Sequence, residues 1–266
     1  MAVKQETLKL YKNRGETPLE CINRFKIDNP EYKNEKMTYA GRLDPLAEGL
    51  LLVLVGEECK KKEKYLGLDK EYEVDILFGF ATDTYDILGV IKSKVESYKV
   101  ATNLEIQKIL ETFVGKFLQK YPAFSSKNIK KILKTRKNGG LALRREAGKG
   151  ESSVFSETEE ETMDKEVEIK TIEFLGERTV SKQDLEKYII DSVNLVKGDF
   201  RQKEILNKWE KAWSRSVLDE FSVFSIKVNC TSGTYMRSLA NSIGEKINVP
   251  ALALNIKRIK IGHYKI

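Results

Sequence analysis

The hydrophobic positions of this chain change period several times, and each change marks an element. "TLKLYKN" (7–13) alternates apolar and polar residues, the period of a half-buried strand. In "TPLECINRFKID" (17–28), Leu19, Ile22 and Phe25 recur at helical spacing, with Thr17 as N-cap and Pro18 in the first turn. "GLLLVLVG" (49–56) is a continuous apolar run between glycines and predicts a buried strand, followed by a short helix in "EECKKKEKYLGLD" (57–69). "KEYEVDILFGFAT" (70–82) alternates again as a strand, and "DTYDILGVI" (83–91) is a turn leading into another. "TNLEIQKILETFVGKFLQ" (102–119) predicts one capped amphipathic helix, with Ile106, Ile109, Leu110 and Phe113 or Val114 on its inner face.

"YPAFSSKNIKKILKTRKNGG" (121–140) begins extended and continues as a basic helix that stops at Gly139 and Gly140. Residues 141–165 lack periodicity and shift from basic to acidic, which predicts a mobile surface loop. A strand over 167–180 and a helix over 182–193 follow. The polar stretch 197–215, with two tryptophans, reads as a helical insertion. Then come a strong strand (221–233), a helix (234–247) and a closing strand pair (252–266). Strands and helices that mix without strict alternation predict an α+β fold.

Composition narrows the classes. The 266 residues are 41% hydrophobic and 33% charged, the balance of a soluble globular protein. The longest apolar run, Leu50 to Val55, is too short to cross a bilayer, and "MAVKQETLKLYKNRGE" at the start has no signal-peptide core. A cytoplasmic location is therefore expected. The net charge of +7 favours a polyanionic partner without naming one. The three cysteines form no CxxC pair and His263 is the lone histidine, so no zinc site or disulfide framework is expected. Any Ser-His or Cys-His mechanism would depend on His263, which in "KIGHYKI" reads as a surface or packing residue. Walker, GxGxxG and HExxH patterns are absent.

Three residues could carry chemistry. Asp44 stands with Pro45 where polar sequence meets the apolar run. An Asp-Pro turn explains the pair equally well, but Gly41, Gly49 and Arg42 around it also suit a carboxylate presented at the mouth of a sheet. Arg237 opens a helix, where the macrodipole disfavours a cation, so an anionic partner is expected unless solvent alone surrounds it. Tyr72, on a strand between charged residues, is either a packing residue or part of a site.

Taken together these segments resemble the TruB-type tRNA pseudouridine synthases. "GRLDPLAEGLLLVLVGEECK" (41–60) is similar to that family's Gly-x-Leu-Asp-Pro-Leu-Ala-x-Gly-x-Leu stretch and the Gly-Glu-x-x-Lys after it. "KEYEVDILFGFATDTYDILG" (70–89) resembles the strand that carries the family's tyrosine, with Thr-Asp-Thr-x-Asp-x-x-Gly behind it. "CTSGTYMRSLANSIGE" (230–245) resembles the Gly-Thr-Tyr-Ile-Arg-Ser-Leu helix, and "LALNIKRIKIG" (252–262) the closing strand. "KNRGETP" (12–18) and "YPAFSSKNIKK" (121–131) are looser matches. The motifs keep family order over nearly the whole chain.

The resemblance implies one pseudouridine synthase domain over 1–266, a mixed, mostly antiparallel sheet flanked by helices, with no RNA-binding PUA-type domain after the last strand. It implies isomerisation of the T-loop uridine (position 55) of tRNA, by a monomer that holds the T-arm and needs neither cofactor nor metal. Asp44 would be the catalytic aspartate, Tyr72 the tyrosine against the target base, and Arg237 the partner of Asp44. Tyr235, Lys60 and Ile256 align with active-site or RNA-contact positions. Tyr39 stands where the family usually has a histidine, and Arg42 where it has a small residue; a stacking role is expected for Tyr39. Arg42 is also found in the Gly-Arg-Leu-Asp of ribosomal-RNA pseudouridine synthases, which leaves ribosomal RNA as an alternative substrate. A non-catalytic RNA-binding or RNA-folding protein is the alternative outside enzymology. Lys60 to Lys62, Lys127 to Arg136 and Lys257 to Lys260 are candidate phosphate contacts.

Overall fold

The computed structural model of the protein describes residues 6–99, 101–120 and 164–266. The basic helix expected over 121–140 lies outside them, as does the loop expected over 141–165 up to residue 163.

The chain opens with β1 (Thr7–Lys12), α1 (Pro18–Asp28), β2 (Met37–Ala40) and β3 (Glu48–Val55). A 3-10 turn (Gly56–Lys61) runs into α2 (Lys62–Leu66), so the short helix expected there is divided in two. β4 (Lys70–Phe78), β5 (Phe80–Thr82), β6 (Ile91–Lys94), α3 (Asn103–Glu111) and β7 (Gly115–Lys120) follow. Beyond residue 163 come β8 (Asp164–Ser181), α4 (Lys182–Leu195), α5 (Gln202–Ser214), β9 (Glu220–Cys230), α6 (Met236–Ile247), β10 (Ala251–Ile261) and β11 (Tyr264–Lys265). Nine strands form one sheet in the order β1-β3-β10-β4-β9-β8-β7, with β2 beside β3 and β11 beside β10. Every pairing in it is antiparallel except β3 with β10. This is the expected α+β class.

Local chemistry sets the boundaries. Thr17 and Glu20 form the capping box that starts α1, each side chain accepting from the other's backbone amide. Ile22 is buried as expected, whereas Leu19, expected on the same face, is exposed, and Pro18 and Cys21 are buried in its place. The helix expected over 102–119 ends at Glu111. Gly115 has φ +108, outside helical space, and its backbone opens β7 in register with Ile169 of β8. Val114 is accordingly exposed, while Ile106, Leu110 and Phe113 are buried.

Alternation along the strands divides the core into two layers. Val74, Ile76 and Phe78 of β4 meet Phe224, Ile226 and Val228 of β9 beneath α3 and α6, where Leu239 and Ile243 cover them. Leu77, Val223 and Leu252 point to the opposite face and pack under α4 and α5. The stretch read as an insertion is thus part of the core. Trp209 and Trp213 stack at 5.3 Å and both contact Phe80, each buried ring contributing about 2–3 kcal/mol. No helix among the described residues is long and apolar enough to cross a membrane.

Candidate active site

Asp44 lies on the loop that leads into β3, and two buried cations shape that loop. Residues 44–47 close a turn, with the Ala47 amide donating to the Asp44 carbonyl at 3.1 Å. Lys12, fully buried at the end of β1, donates to the carbonyls of Asn13, Pro45 and Ala47 at 3.0, 3.0 and 2.6 Å. Burial lowers its pKa to about 8, and the nearby carboxylates of Glu16 and Asp44 oppose that shift. Arg258 of β10, 1% exposed, donates to the carbonyls of Leu50 at 2.8 Å, Gly41 at 3.1 Å and Arg42 at 3.5 Å. Gly49 makes this crossing possible: a Cβ there would stand 2.4 Å from the Arg258 carbonyl oxygen.

Arg237 is the second residue of α6 and points back at the acid. Its Nε stands 2.9 Å from Asp44 Oδ2 and 3.6 Å from Asp86 Oδ2, and Nη1 donates to the Thr84 carbonyl at 2.9 Å. Asp44 is thus the nearer of the two carboxylates paired with this guanidinium. Burial would lower the Arg237 pKa, but Asp44 and Asp86 outweigh it and the net shift is upward. Asp86 is fixed by the Thr84 hydroxyl at 2.6 Å and the Leu88 amide at 3.0 Å. Burial raises its pKa and Asp44 adds to the rise, while Arg237 and Thr84 pull it back.

Tyr72 sits on β4 opposite Arg258 of β10 and is buried. Burial raises its pKa, with Arg258 opposing by charge and by hydrogen bond and Asp44 adding to the rise, so the phenol stays protonated at neutral pH.

A cavity of 310 Å³ opens onto Asp44, Asp86 and Arg237. Arg42, Asp44 and Pro45 form one wall, and Thr84, Asp86 and Leu88 a second. Asp199, Phe200 and Arg201 form a third, with Arg237 completing the lining. The volume lies at the lower end of the ~300–1,000 Å³ common for ligand sites, the scale of one nucleoside. A wider groove of 560 Å³ continues from Asp199 and Arg201 along α5 to Lys208, away from the acid–arginine pair.

The structure therefore brings Asp44, Arg42 and Arg237 into one cavity, with Tyr72 buried beside it. Tyr235 caps α6, exchanging hydrogen bonds with the Gln119 side chain at 2.7 and 3.0 Å, and Ile256 packs in the cluster that holds Tyr72 and Leu43. Two expected residues lie elsewhere. Tyr39 packs with Leu8, Ile22 and Val53, with Lys62 5.2 Å from its ring centre, and does not line the cavity. Lys60 is on the turn at the far end of β3, exposed and paired with Glu57. Asp86, Lys12 and Phe200 are not marked as site residues by the sequence, and Arg258, expected among the phosphate contacts, is instead buried beneath the Asp44 loop. Asp86 stood within the quoted Thr-Asp-Thr-x-Asp motif, whereas nothing local marked Phe200. Among the described residues, no group of three or more His, Cys, Asp or Glu side chains is gathered as a metal site.

The model of the TruB family pseudouridylate synthases (N-terminal domain) matches residues 30–175, a span that contains Asp44, Tyr72 and Asp86. The chain belongs to that family. TruB-family relatives include the tRNA pseudouridine synthase B of Aquifex aeolicus, 28% identical over 97% of this chain and 69% of that protein. The enzymes of the same name from Ligilactobacillus salivarius and Borreliella burgdorferi are each 27% identical, over 97% of this chain and 68% and 70% of their own lengths. Among solved structures, a chain of a Cbf5-Nop10-Gar1 complex superposes with TM-score 0.55 at 17% identity, over 97% of this chain and 49% of that one. A chain of an H/ACA RNP bound to a substrate RNA containing 2′-deoxyuridine gives 0.53 at 16%, over 97% and 48%. The TruB-family chain spans about half the length of these solved chains, and the likeness establishes the pseudouridine synthase fold.

Proposed function

We propose that this TruB-family enzyme converts uridine to pseudouridine in tRNA, at the T-loop uridine (position 55), acting as a cytoplasmic monomer that grips the T-arm. The observation that carries the reading is the Asp44–Arg237 pair at 2.9 Å inside a nucleoside-sized cavity. The relatives named as tRNA pseudouridine synthases support the substrate.

In this reading the target uridine leaves its stack and enters the cavity. The Asp44 carboxylate acts on the ribose, as nucleophile at C1′ or as base for elimination to a glycal. Either route breaks the C1′–N1 bond. The uracil turns, C5 bonds to C1′, the C5 proton is lost and N1 ends protonated, so the product is an isomer and no redox partner is consumed. Arg237 holds the carboxylate in place. By resemblance Tyr72 stands next to the target base; buried beside the cavity with its hydroxyl protonated, it backs the pocket and can donate a hydrogen bond. The basic side chains of Lys60 to Lys62, Lys257 and Lys260 contact phosphates, whereas Arg258, expected among them, is buried against the Leu50 and Gly41 carbonyls.

The test is to incubate the protein with tRNA, T-arm stem-loop and ribosomal RNA transcripts and to map pseudouridine chemically. Product at the T-loop uridine, with the stem-loop binding within about tenfold of whole tRNA, supports the reading. Product only in ribosomal RNA would move the assignment to that substrate, where Arg42 in the cavity wall would be the residue to pursue. RNA binding without product would leave a non-catalytic RNA protein.

A further inference from the structure

Phe200 is the one aromatic residue among those lining the cavity, and it comes from the segment between α4 and α5. It is half-buried, packed against the core cluster under α4 and α5 while lining the cavity. The backbone around it is held unusually firmly for a connection. The Gln202 side chain accepts from the Phe200 amide at 2.9 Å and donates to the carbonyls of Val196 and Gly198 at 2.9 and 2.7 Å. Arg201 adopts φ +64, a left-handed conformation that costs a non-glycine residue about 1 kcal/mol. What holds it there is a two-pronged pairing with Asp83, at 2.8 and 3.3 Å. Asp83 lies three residues before Asp86, so the aromatic is anchored to the same loop that supports Arg237.

The chemistry gives such a ring a task. Asp44 must face the ribose, so the base extends away from it into the rest of the cavity. Once the C1′–N1 bond is broken, the free uracil has to turn without escaping. Hydrogen bonds resist that rotation because they are directional. Stacking on an aromatic face holds a base with little dependence on which edge faces outward. We infer that Phe200 is a base-binding residue of this enzyme, the aromatic face on which the extruded uracil stacks and turns.

This inference rests on the uridine-isomerising reading. The experiment is a cycle between Phe200→Ala and removal of the target base. Binding of wild type and variant is measured on a T-arm RNA with the target uridine intact and on the same RNA made abasic there. Wild type should prefer the intact RNA, and Phe200→Ala should lose roughly five- to a hundredfold of affinity for it while binding the abasic RNA as wild type does. Equal losses on both RNAs, or no loss on either, would overturn the inference. Phe200→Tyr should restore the preference, and Phe200→Leu, which keeps apolar bulk against the core but has no π-face, should not. The leucine variant therefore decides the matter if the alanine variant fails to fold. Pseudouridine formation by wild type on the intact RNA is scored separately, so failure of the parent reading is distinguishable from failure of the stacking role.

Discussion

Arg237 is 7% exposed and Asp44 36% exposed, yet Nε and Oδ2 are 2.9 Å apart. The arginine is sealed in by Thr84 and Asp86, while the acid keeps an open side toward the cavity. One partner is scaffold and the other is presented. Asp44→Asn should therefore abolish turnover while RNA binding and folding survive, because the amide keeps the shape and loses the reactive charge. Arg237→Ala should reduce single-turnover rates by at least a hundredfold and also destabilise the fold by roughly 3 kcal/mol, the cost of stripping a buried pair. Measurable pseudouridine from a clean Asp44→Asn preparation would remove Asp44 from the mechanism.

Asp86 is the less obvious half of the network. Asp86→Asn keeps an acceptor for the Thr84 hydroxyl and the Leu88 amide but leaves Arg237 with one carboxylate. The expected result is a rate lower by about ten- to a hundredfold, roughly 1.4–2.8 kcal/mol in the barrier, with unchanged RNA affinity. A rate within twofold of wild type would show that Thr84 and Asp44 suffice to hold the guanidinium.

Gly49→Ala tests the crossing of β3 and β10. With φ +104 and a Cβ only 2.4 Å from the Arg258 carbonyl oxygen, the variant should lose more than ~3 kcal/mol in urea unfolding, or fail to accumulate as folded protein. Gly56→Ala, also at positive φ but with nothing within 4 Å, is the control and should cost about 1 kcal/mol. Similar stabilities for the two variants would refute the steric account.

Tyr39 was expected to stack on the base, and its position now directs a different expectation. Its ring lies beneath Lys62 and in the cluster under α1. Tyr39→Ala should cost about 1–2 kcal/mol of stability and leave the single-turnover rate at saturating RNA within threefold. A rate loss with unchanged stability would return Tyr39 to the site.

Two buried lysines give stability a pH signature. Burial lowers Lys12 and Lys70 to about 8 from the ordinary 10.5. Between those values the unfolded chain binds more protons than the folded one, so stability should rise with pH. Below about pH 8 the cost of burying the cations is fully present and the profile is flat. Urea unfolding at pH 7.5 and 9.5 should show a gain on the order of 1–2 kcal/mol per lysine, and Lys70→Met should lose its share. A decline over that interval would contradict the assignment.

The acid and its arginine were legible because local sequence exposes them: Asp44 interrupts an apolar run and Arg237 opens a helix against the macrodipole. Other features depend on distant partners. Lys12 looks like the polar face of a strand until the Pro45 and Ala47 carbonyls arrive around its ammonium. Phe200 is an aromatic in a polar stretch until Arg201 finds Asp83, 118 residues away. The 102–119 stretch keeps helical spacing through Phe113, and only the φ of Gly115 and the register with β8 turn its second half into a strand.

The parallel join of β3 to β10 has a consequence for how this enzyme comes into being. Arg258 reaches back across 208 residues to the Leu50 carbonyl and secures the loop of Asp44 from there. At a translation rate of ~5–20 residues per second, that partner emerges from the ribosome roughly ten to forty seconds after Leu50 does. Until it docks, the nascent chain carries its acid on an unsecured loop, and Arg237 too has only just been made. A nascent chain that stops short of Arg258 is thus chemically silent, and competence to modify RNA waits on the docking of that residue.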